Sequence, residues 1–199
     1  MKKQKTMWKI IVMLVLVIAV GIGFWQIIAS KNSQNQDNAR SKVEEVNAIL
    51  KKDFESGYPG TPREVVKMYS RIDSCLYNYK LGDEDVDKLV DKMRELFDDE
   101  LLAANPKDSH VKKLKEEMEN FREEKRFISS YSIDKNSSIT KENIKGVQYA
   151  SLHASYLVQE GTDYTKTYEK FLLREDKNGK WKIVGWEVAD KGDTDSNED

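Results

Sequence analysis

The chain has 199 residues and a formal net charge of −2, with 34% charged and 39% hydrophobic residues, a balance that excludes a polytopic membrane protein. Such a mildly acidic chain lacks the excess of basic residues that is typical of a nucleic-acid-binding protein, so no nucleic-acid partner is expected. The single cysteine, Cys75, excludes an intrachain disulfide and a metal site built from several thiolates.

The first predicted element is an apolar segment, residues 10–28, that contains no charged side chain. At ~1.5 Å per helical residue it can cross the ~30 Å hydrocarbon core of a bilayer. Lysines are concentrated in residues 1–9, so the positive-inside bias predicts a single-pass cell-membrane protein with a cytoplasmic basic tail and an extracytoplasmic body. The alternative is a cleaved signal peptide, but the apolar run exceeds the usual ~7–15 residues and no small-x-small site follows it.

Composition divides the rest of the chain into three parts. Residues 29–40 are polar and predict a flexible linker, and residues 190–199 form an acidic tail that is expected to be disordered. Between them, residues 41–189 are expected to form one extracytoplasmic domain, helical in its first half and stranded in its second.

Helical spacing of apolar side chains defines the first half of this domain. Thr61 and Glu64 form a capping box around Pro62, which marks the start of the second helix. Asp108 or Ser109 is expected to cap the fourth. The expected helices cover residues 41–54, 62–79, 83–101 and 109–121.

In the second half of the domain, apolar and polar residues alternate with a period of two, and β-branched and aromatic residues become frequent. Both features predict strands. The Asn178-Gly179 pair predicts a tight hairpin turn before the last strand. In that strand, Trp181 and Ile183 are expected on one face and Val184 and Trp186 on the other. The expected strands cover residues 127–133, 147–160, 164–175 and 181–188.

Helices followed by a long meander predict an α+β fold, in which helices pack on one face of a curved antiparallel sheet. The strand over residues 147–160 has one largely apolar face (Ala150, Leu152, Ala154, Tyr156 and Val158) and one mixed face (Tyr149, Ser151, His153, Ser155 and Leu157). The mixed face is open to solvent, to a second copy of the chain or to an envelope protein.

The closing stretch KFLLREDKNGKWKIVGWEV, residues 170–188, resembles the last hairpin of nuclear-transport-factor-2-like domains. This cone-shaped α+β superfamily includes ketosteroid-isomerase-like and SnoaL-like proteins. The chain is also similar to an uncharacterised membrane-anchored family of gut Clostridia, through the segments Tyr58–Val66, Leu96–Leu102 and Asp163–Tyr168. The resemblance implies a cone whose interior can hold a small molecule.

If the cone is open, the side chains expected to line its pocket are Tyr168, His153, Trp186 and Tyr69. His153 with a tyrosine neighbour suits acid–base chemistry, although a sheet histidine of this kind can also be purely structural. Asp73 suits an isomerase-like site only if it faces inward, and its position beside Ile72 places it at the edge of the apolar stripe.

No catalytic residue, cofactor motif or metal site follows from the sequence. We therefore expect a membrane-anchored extracytoplasmic binding or scaffolding domain of the bacterial cell envelope, without evident catalysis. Its partners would be the membrane, through residues 10–28, and a second copy or an envelope protein, through the sheet. The alternative is small-molecule binding or isomerase-like catalysis in the cone pocket.

Overall fold

The structure is a computed structural model that describes residues 37–190. The predicted membrane segment at residues 10–28, the linker up to residue 36 and the acidic tail from residue 191 lie outside the described residues. Within the described part of the chain, no helix is both long enough and apolar enough to cross a membrane.

The described residues form helices first and strands second. The helices are α1 (Asp37–Leu50), α2 (Pro62–Asn78), α3 (Asp83–Arg94), α4 (Asp99–Ala104) and α5 (Lys107–Glu123). The strands are β1 (Arg126–Ile133), β2 (Thr140–Ile144), β3 (Val147–Glu160), β4 (Asp163–Glu175) and β5 (Trp181–Val188). Helices packed on an antiparallel sheet confirm the predicted α+β class.

The sheet has the order β1-β3-β4-β5, and β2 also pairs with β3. Strands β1 and β2 occupy successive stretches of the same edge of β3, so they act as one interrupted strand. Asp134 fills the interruption, because its backbone N–H donates to the carbonyl of His153 at 3.0 Å and its carboxylate accepts the His153 backbone N–H at 2.8 Å. A side chain thereby supplies a bond that a strand would otherwise provide.

Helix α2 packs on the inner face of the sheet, and its buried side chains form the centre of the core. Its start is the predicted one, since the Thr61 side chain accepts the Glu64 N–H at 3.2 Å and the Glu64 carboxylate accepts the Gly60 N–H at 3.1 Å. Its buried apolar side chains meet the alternating buried residues of β3 and β4, which include Ala150, Leu152, Ala154, Phe171 and Leu173.

The predicted helix over residues 83–101 is wrong, because the chain breaks between α3 and α4. At the break, Ile183 on β5 accepts the Asp98 N–H and donates its own N–H to Leu96, both at 2.8 Å. Asp98 then caps α4 by accepting the Glu100 N–H at 3.0 Å. Pairing with the sheet overrides helical spacing that is continuous in the sequence.

Other boundaries also differ from the expectation. Helix α1 ends at Leu50 instead of continuing to Phe54, and α5 starts at Lys107 with Pro106 at its cap position, before the expected Asp108 or Ser109. Strand β2 was not expected, and all five of its residues are exposed, so it lacks the alternation that identifies a half-buried strand.

A bulge in β5 corrects the expected faces of the last strand. Leu173 pairs with Ile183 and Leu172 pairs with Gly185, so Val184 is an extra residue. The extra residue shifts the alternation by one, and Ile183 and Trp186 consequently share the inner face of the sheet. The turn before β5 forms as predicted, with Gly179 at φ +75°.

Candidate functional site

The structure does not bring the four predicted pocket residues together. Tyr168 pairs with Ser155 on the face of the sheet away from the helices, and His153 lies on that same outer face. Tyr69 on α2 and Trp186 on β5 lie on the inner face, with ring centroids 5.2 Å apart. The sheet therefore separates these residues into two pairs that cannot line one pocket.

His153 has a structural role in the interruption between β1 and β2. Its Nδ1 lies 3.1 Å from the Asp134 carboxylate, which also accepts its backbone N–H. Its Nε2 is buried and has no hydrogen-bond partner among the described residues. These contacts fit the structural interpretation of a sheet histidine better than an acid–base role.

The inner face contains a polar group that we call the acidic cluster, consisting of Ser70, Asp73, Tyr156 and Glu169. Asp73 faces inward from α2, one helical turn after Tyr69. Glu169 lies on β4 opposite Ala154, on the same face as the buried Phe171. Two acidic side chains thus occupy positions that belong geometrically to the core.

Hydrogen bonding within the acidic cluster is uneven. The hydroxyls of Ser70 and Tyr156 lie 2.7 Å apart and connect α2 to β3. The Tyr156 hydroxyl also approaches the Glu169 carboxyl closely enough to influence its ionisation. Within the described residues, the carboxyl of Asp73 accepts no hydrogen bond, although its oxygens are not sealed from solvent.

Burial controls the charge of both carboxyls. It raises the pKa of Glu169 to about 7, an effect that the nearby Tyr156 hydroxyl partly opposes. It also raises the pKa of Asp73 well above its usual range, and repulsion from Glu169 and Glu117 adds to the rise. Because these carboxyls interact, their protons are released as those of a coupled group, and part of the cluster is protonated at neutral pH.

Glu117 extends this negative region from α5. The Tyr77 hydroxyl, on the buried face of α2, donates to its carboxylate at 3.0 Å. Burial nevertheless raises the pKa of Glu117, and the hydrogen bond from Tyr77 only reduces the rise. No group of three or more His, Cys, Asp or Glu side chains in residues 37–190 is arranged to hold a metal ion.

Aromatic rings form the apolar surroundings of the cluster. The ring centroid of Tyr69 lies 5.3 Å from that of Phe171 and 6.2 Å from that of Phe97. Trp186 stacks on Phe171 at 5.8 Å and is only half-buried. The wall that begins beside Asp73 therefore reaches the protein surface at Trp186.

A separate cleft of about 260 Å³ lies between the α1–α2 loop, the α3–α4 break and the β4–β5 hairpin. Tyr58 lies in it, beneath Lys180 at 5.0 Å and Lys182 at 4.5 Å from the ring centroid. Both ammonium groups donate to backbone carbonyls, Lys180 to Phe54 and Lys182 to Glu95. Internal bonds thus already use its cationic groups.

The sequence interpretation missed Glu169 and placed Asp73 at the edge of the apolar stripe of its helix. A signal for Glu169 was present, because it continues the inner-face alternation of Leu173 and Phe171 toward the start of β4. A carboxylate in phase with core residues is informative, since acidic side chains are rarely buried without a partner. For Asp73, the matching signal is its spacing of four from Tyr69 and Tyr77.

Comparison with known proteins gives a family without an assigned activity. A family model described as a domain of unknown function, DUF6715, matches residues 1–186. The chain belongs to the DUF6715 family. The DUF6715 match covers the apolar segment 10–28 and every member of the acidic cluster. A search of curated proteins found no match to this chain.

Proposed function

We propose that this DUF6715 protein binds a small organic molecule at the acidic cluster, in a domain that residues 10–28 hold outside the cell membrane. The carboxyl of Asp73 carries the proposal, because it is partly buried on the inner face, accepts no hydrogen bond from the described residues and interacts electrostatically with Glu169. A partly buried acid whose pKa is raised in this way is a candidate for a functional site.

Features outside the cluster support the same proposal. Trp186 packs on Tyr69 at 5.2 Å and is itself half-buried, so aromatic rings connect the region of the cluster to the surface. Small-molecule sites typically combine such an apolar lining with a few convergent polar groups. The resemblance to nuclear-transport-factor-2-like domains agrees, because the interior of the cone is the side of the sheet that the helices cover.

The contacts favour ligand binding over scaffolding. A scaffold would use the outer face of the sheet, but His153 on that face is committed to Asp134. By contrast, the carboxyl of Asp73 on the inner face accepts no hydrogen bond from residues 37–190. Partner binding through the outer face, by a second copy or an envelope protein, is consequently the weaker proposal.

Native mass spectrometry of full-length protein, extracted from cells in a mild detergent, tests the proposal. We expect a bound small molecule on the wild type and its loss from Asp73→Asn and Glu169→Gln. Glu142→Gln is the matched control, because Glu142 is exposed on β2 and far along the sheet from the cluster. If no molecule is found, or if the control loses it equally, the acidic cluster is not the binding site.

A second candidate is isomerase-like proton transfer, which the pKa of Glu169 near 7 favours. A carboxylate with this pKa is an effective general base at neutral pH, and a protonated Asp73 could donate to a developing oxyanion. Wild-type protein should then exchange the α-hydrogens of cyclic ketones with D₂O, and Glu169→Gln should not. If the two proteins exchange at the same rate, this candidate fails.

A further inference from the structure

We propose that the cleft between the α1–α2 loop, the α3–α4 break and the β4–β5 hairpin binds a small zwitterion of the α-amino acid class. No residue of the acidic cluster lines this cleft, so it is a second site that goes beyond the function proposed above. It encloses about 260 Å³, and charged groups in its lining keep hydrogen-bonding capacity that the fold does not use.

Two lysines supply the positive side of the cleft. The ammonium groups of Lys180 and Lys182 lie 5.0 and 4.5 Å from the centroid of the Tyr58 ring. The ring is itself fixed, because the Tyr58 hydroxyl donates to the carbonyl of Trp181 at 2.7 Å. The fold therefore holds two like charges against one aromatic ring, an arrangement that an anionic group of a ligand would stabilise.

Both ammonium groups retain hydrogen-bond donors. Lys180 donates to the Phe54 carbonyl at 3.3 Å, and Lys182 donates to the Glu95 carbonyl at 2.6 Å. Since a lysine ammonium group has three N–H donors, each lysine keeps donors that a ligand carboxylate can use. Burial also lowers the pKa of Lys182, so its surroundings do not fully replace the water that its charge has lost.

The charges of the lining balance once their internal partners are counted. Three cations and five acids of the described residues line the cleft. Arg174, which lies outside the cleft, donates to Asp98 at 3.1 Å. Lys92, also outside it, contacts Glu95 at 2.9 Å. Three acids then face three cations, so a ligand with one charge of each sign keeps the cleft neutral, whereas a pure anion or cation adds an uncompensated charge.

Two exposed acids can receive the ammonium group of the ligand. The carboxylates of Glu55 and Asp99 make no hydrogen bond or ion pair within residues 37–190. The third remaining acid, Asp176, is engaged by its turn, where it accepts the N–H groups of Asn178 and Lys180 at 2.8 and 2.9 Å. Because exposed acids contribute less than half-buried cations, the ligand carboxylate should dominate the affinity and the ammonium group should add selectivity.

The apolar part of the lining limits the size of the ligand. Phe54 and Phe97 are each only 3% exposed, so the accessible apolar surface comes mainly from the half-buried Tyr58 and Leu102. The volume is also below the ~300–1,000 Å³ that is usual for sites of drug-sized ligands. Both observations favour a small amino acid over a larger metabolite.

Calorimetry with matched probes tests the inference on the full-length protein in mild detergent at neutral pH. Leucine, isopentylamine and 4-methylpentanoate share one branched hydrocarbon body. The amine lacks the carboxylate of leucine, and the acid lacks its ammonium group. We expect leucine to bind at least about tenfold more tightly than either of the other two, because it alone makes charge-assisted hydrogen bonds to both sides of the cleft.

Substitutions in the lining assign the binding to the cleft. Lys182→Gln should weaken leucine by about tenfold or more, because the amide keeps a hydrogen-bond donor but loses the charge. Asp99→Asn should weaken it only about two- to fivefold, since Asp99 is exposed. Lys166→Gln is the matched control, because the Lys166 ammonium group also lies 5.0 Å from a tyrosine ring, that of Tyr168, but near the start of β4. Circular dichroism verifies that each variant folds, and Lys180→Gln replaces Lys182→Gln if the latter does not.

Each failure has its own meaning. If isopentylamine or 4-methylpentanoate binds as tightly as leucine, the ligand is not recognised as a zwitterion and the inference is overturned. If Lys166→Gln weakens leucine as much as Lys182→Gln does, the site lies elsewhere and the inference is overturned. If neither leucine nor alanine binds at millimolar concentration, the cleft is not an amino-acid site. The proposed function at the acidic cluster is tested separately, by the molecule that Asp73→Asn and Glu169→Gln should lose.

Discussion

Replacing Glu169 by glutamine should stabilise the domain at alkaline pH. The folded chain raises the pKa of Glu169 from 4.5 to about 7, so the folded state holds this proton more tightly than the unfolded state does. The favourable contribution is complete below pH 4.5 and is lost as pH rises through about 7. Above that range the wild type contains a partly buried carboxylate without a cationic partner, which Glu169→Gln removes.

The magnitude follows from the change in pKa. At about 1.4 kcal/mol for each pKa unit, the change from 4.5 to about 7 corresponds to at most roughly 3.5 kcal/mol. The carboxyl of Glu169 is half-buried by exposed area, so solvent reduces its cost, and we expect a gain of about 1–3 kcal/mol at pH 8. At pH 4 both side chains are neutral and similar in shape, and the free energies of unfolding should agree.

Urea unfolding of full-length protein in mild detergent, followed by tryptophan fluorescence from pH 4 to pH 8, measures this difference. Glu142→Gln controls for the loss of a surface charge, because every residue of β2 is exposed. Asp73 and Glu117 add to the negative potential but are unchanged in the variant. A gain that is independent of pH, or larger at pH 4 than at pH 8, would refute the assignment of a buried, proton-binding Glu169.

Two further substitutions test the fold around the site. Trp181→Ala should lower the free energy of unfolding by about 3–5 kcal/mol, because Trp181 is only 8% exposed, whereas Trp186→Ala should cost less because Trp186 is half-buried. Equal urea midpoints for the two variants would contradict this difference in burial. Arg174→Gln should cost about 3 kcal/mol by leaving the buried Asp98 without its cation, and a midpoint within error of wild type would show that the pair is dispensable.

The elements that the sequence predicted well are those that local chemistry determines. Thr61 and Glu64 define the start of α2 through bonds within one helical turn, and Gly179 defines the last hairpin through its own φ angle. The long strand β3 alternates so regularly that its buried face could be read directly. In each example the decisive interaction lies within a few residues of the signal.

The elements that the sequence did not predict depend on partners distant in the chain. The α3–α4 break exists because Ile183 bonds to Leu96 and Asp98 across more than eighty positions of sequence, and the acidic cap at Asp98 alone did not distinguish it from a continuous helix. The β5 bulge likewise becomes visible only in its register with β4. Helical and strand periodicity report on one element at a time, so contacts between elements can override them.

The acidic cluster differs from both groups. The sequence pattern places its two acidic residues among core positions, but acidic side chains are rarely found in a core. Asp73 lies in the same stripe as Tyr69, and Glu169 alternates with Phe171, so local geometry assigns both to the core that hydrophobic patterning reserves for apolar residues. In natural proteins, a residue whose type does not match its position in the fold is often found at a functional site. Because the carboxyl of Asp73 is partly buried and accepts no hydrogen bond from the described residues, the inner face of α2 is the place to search for a ligand.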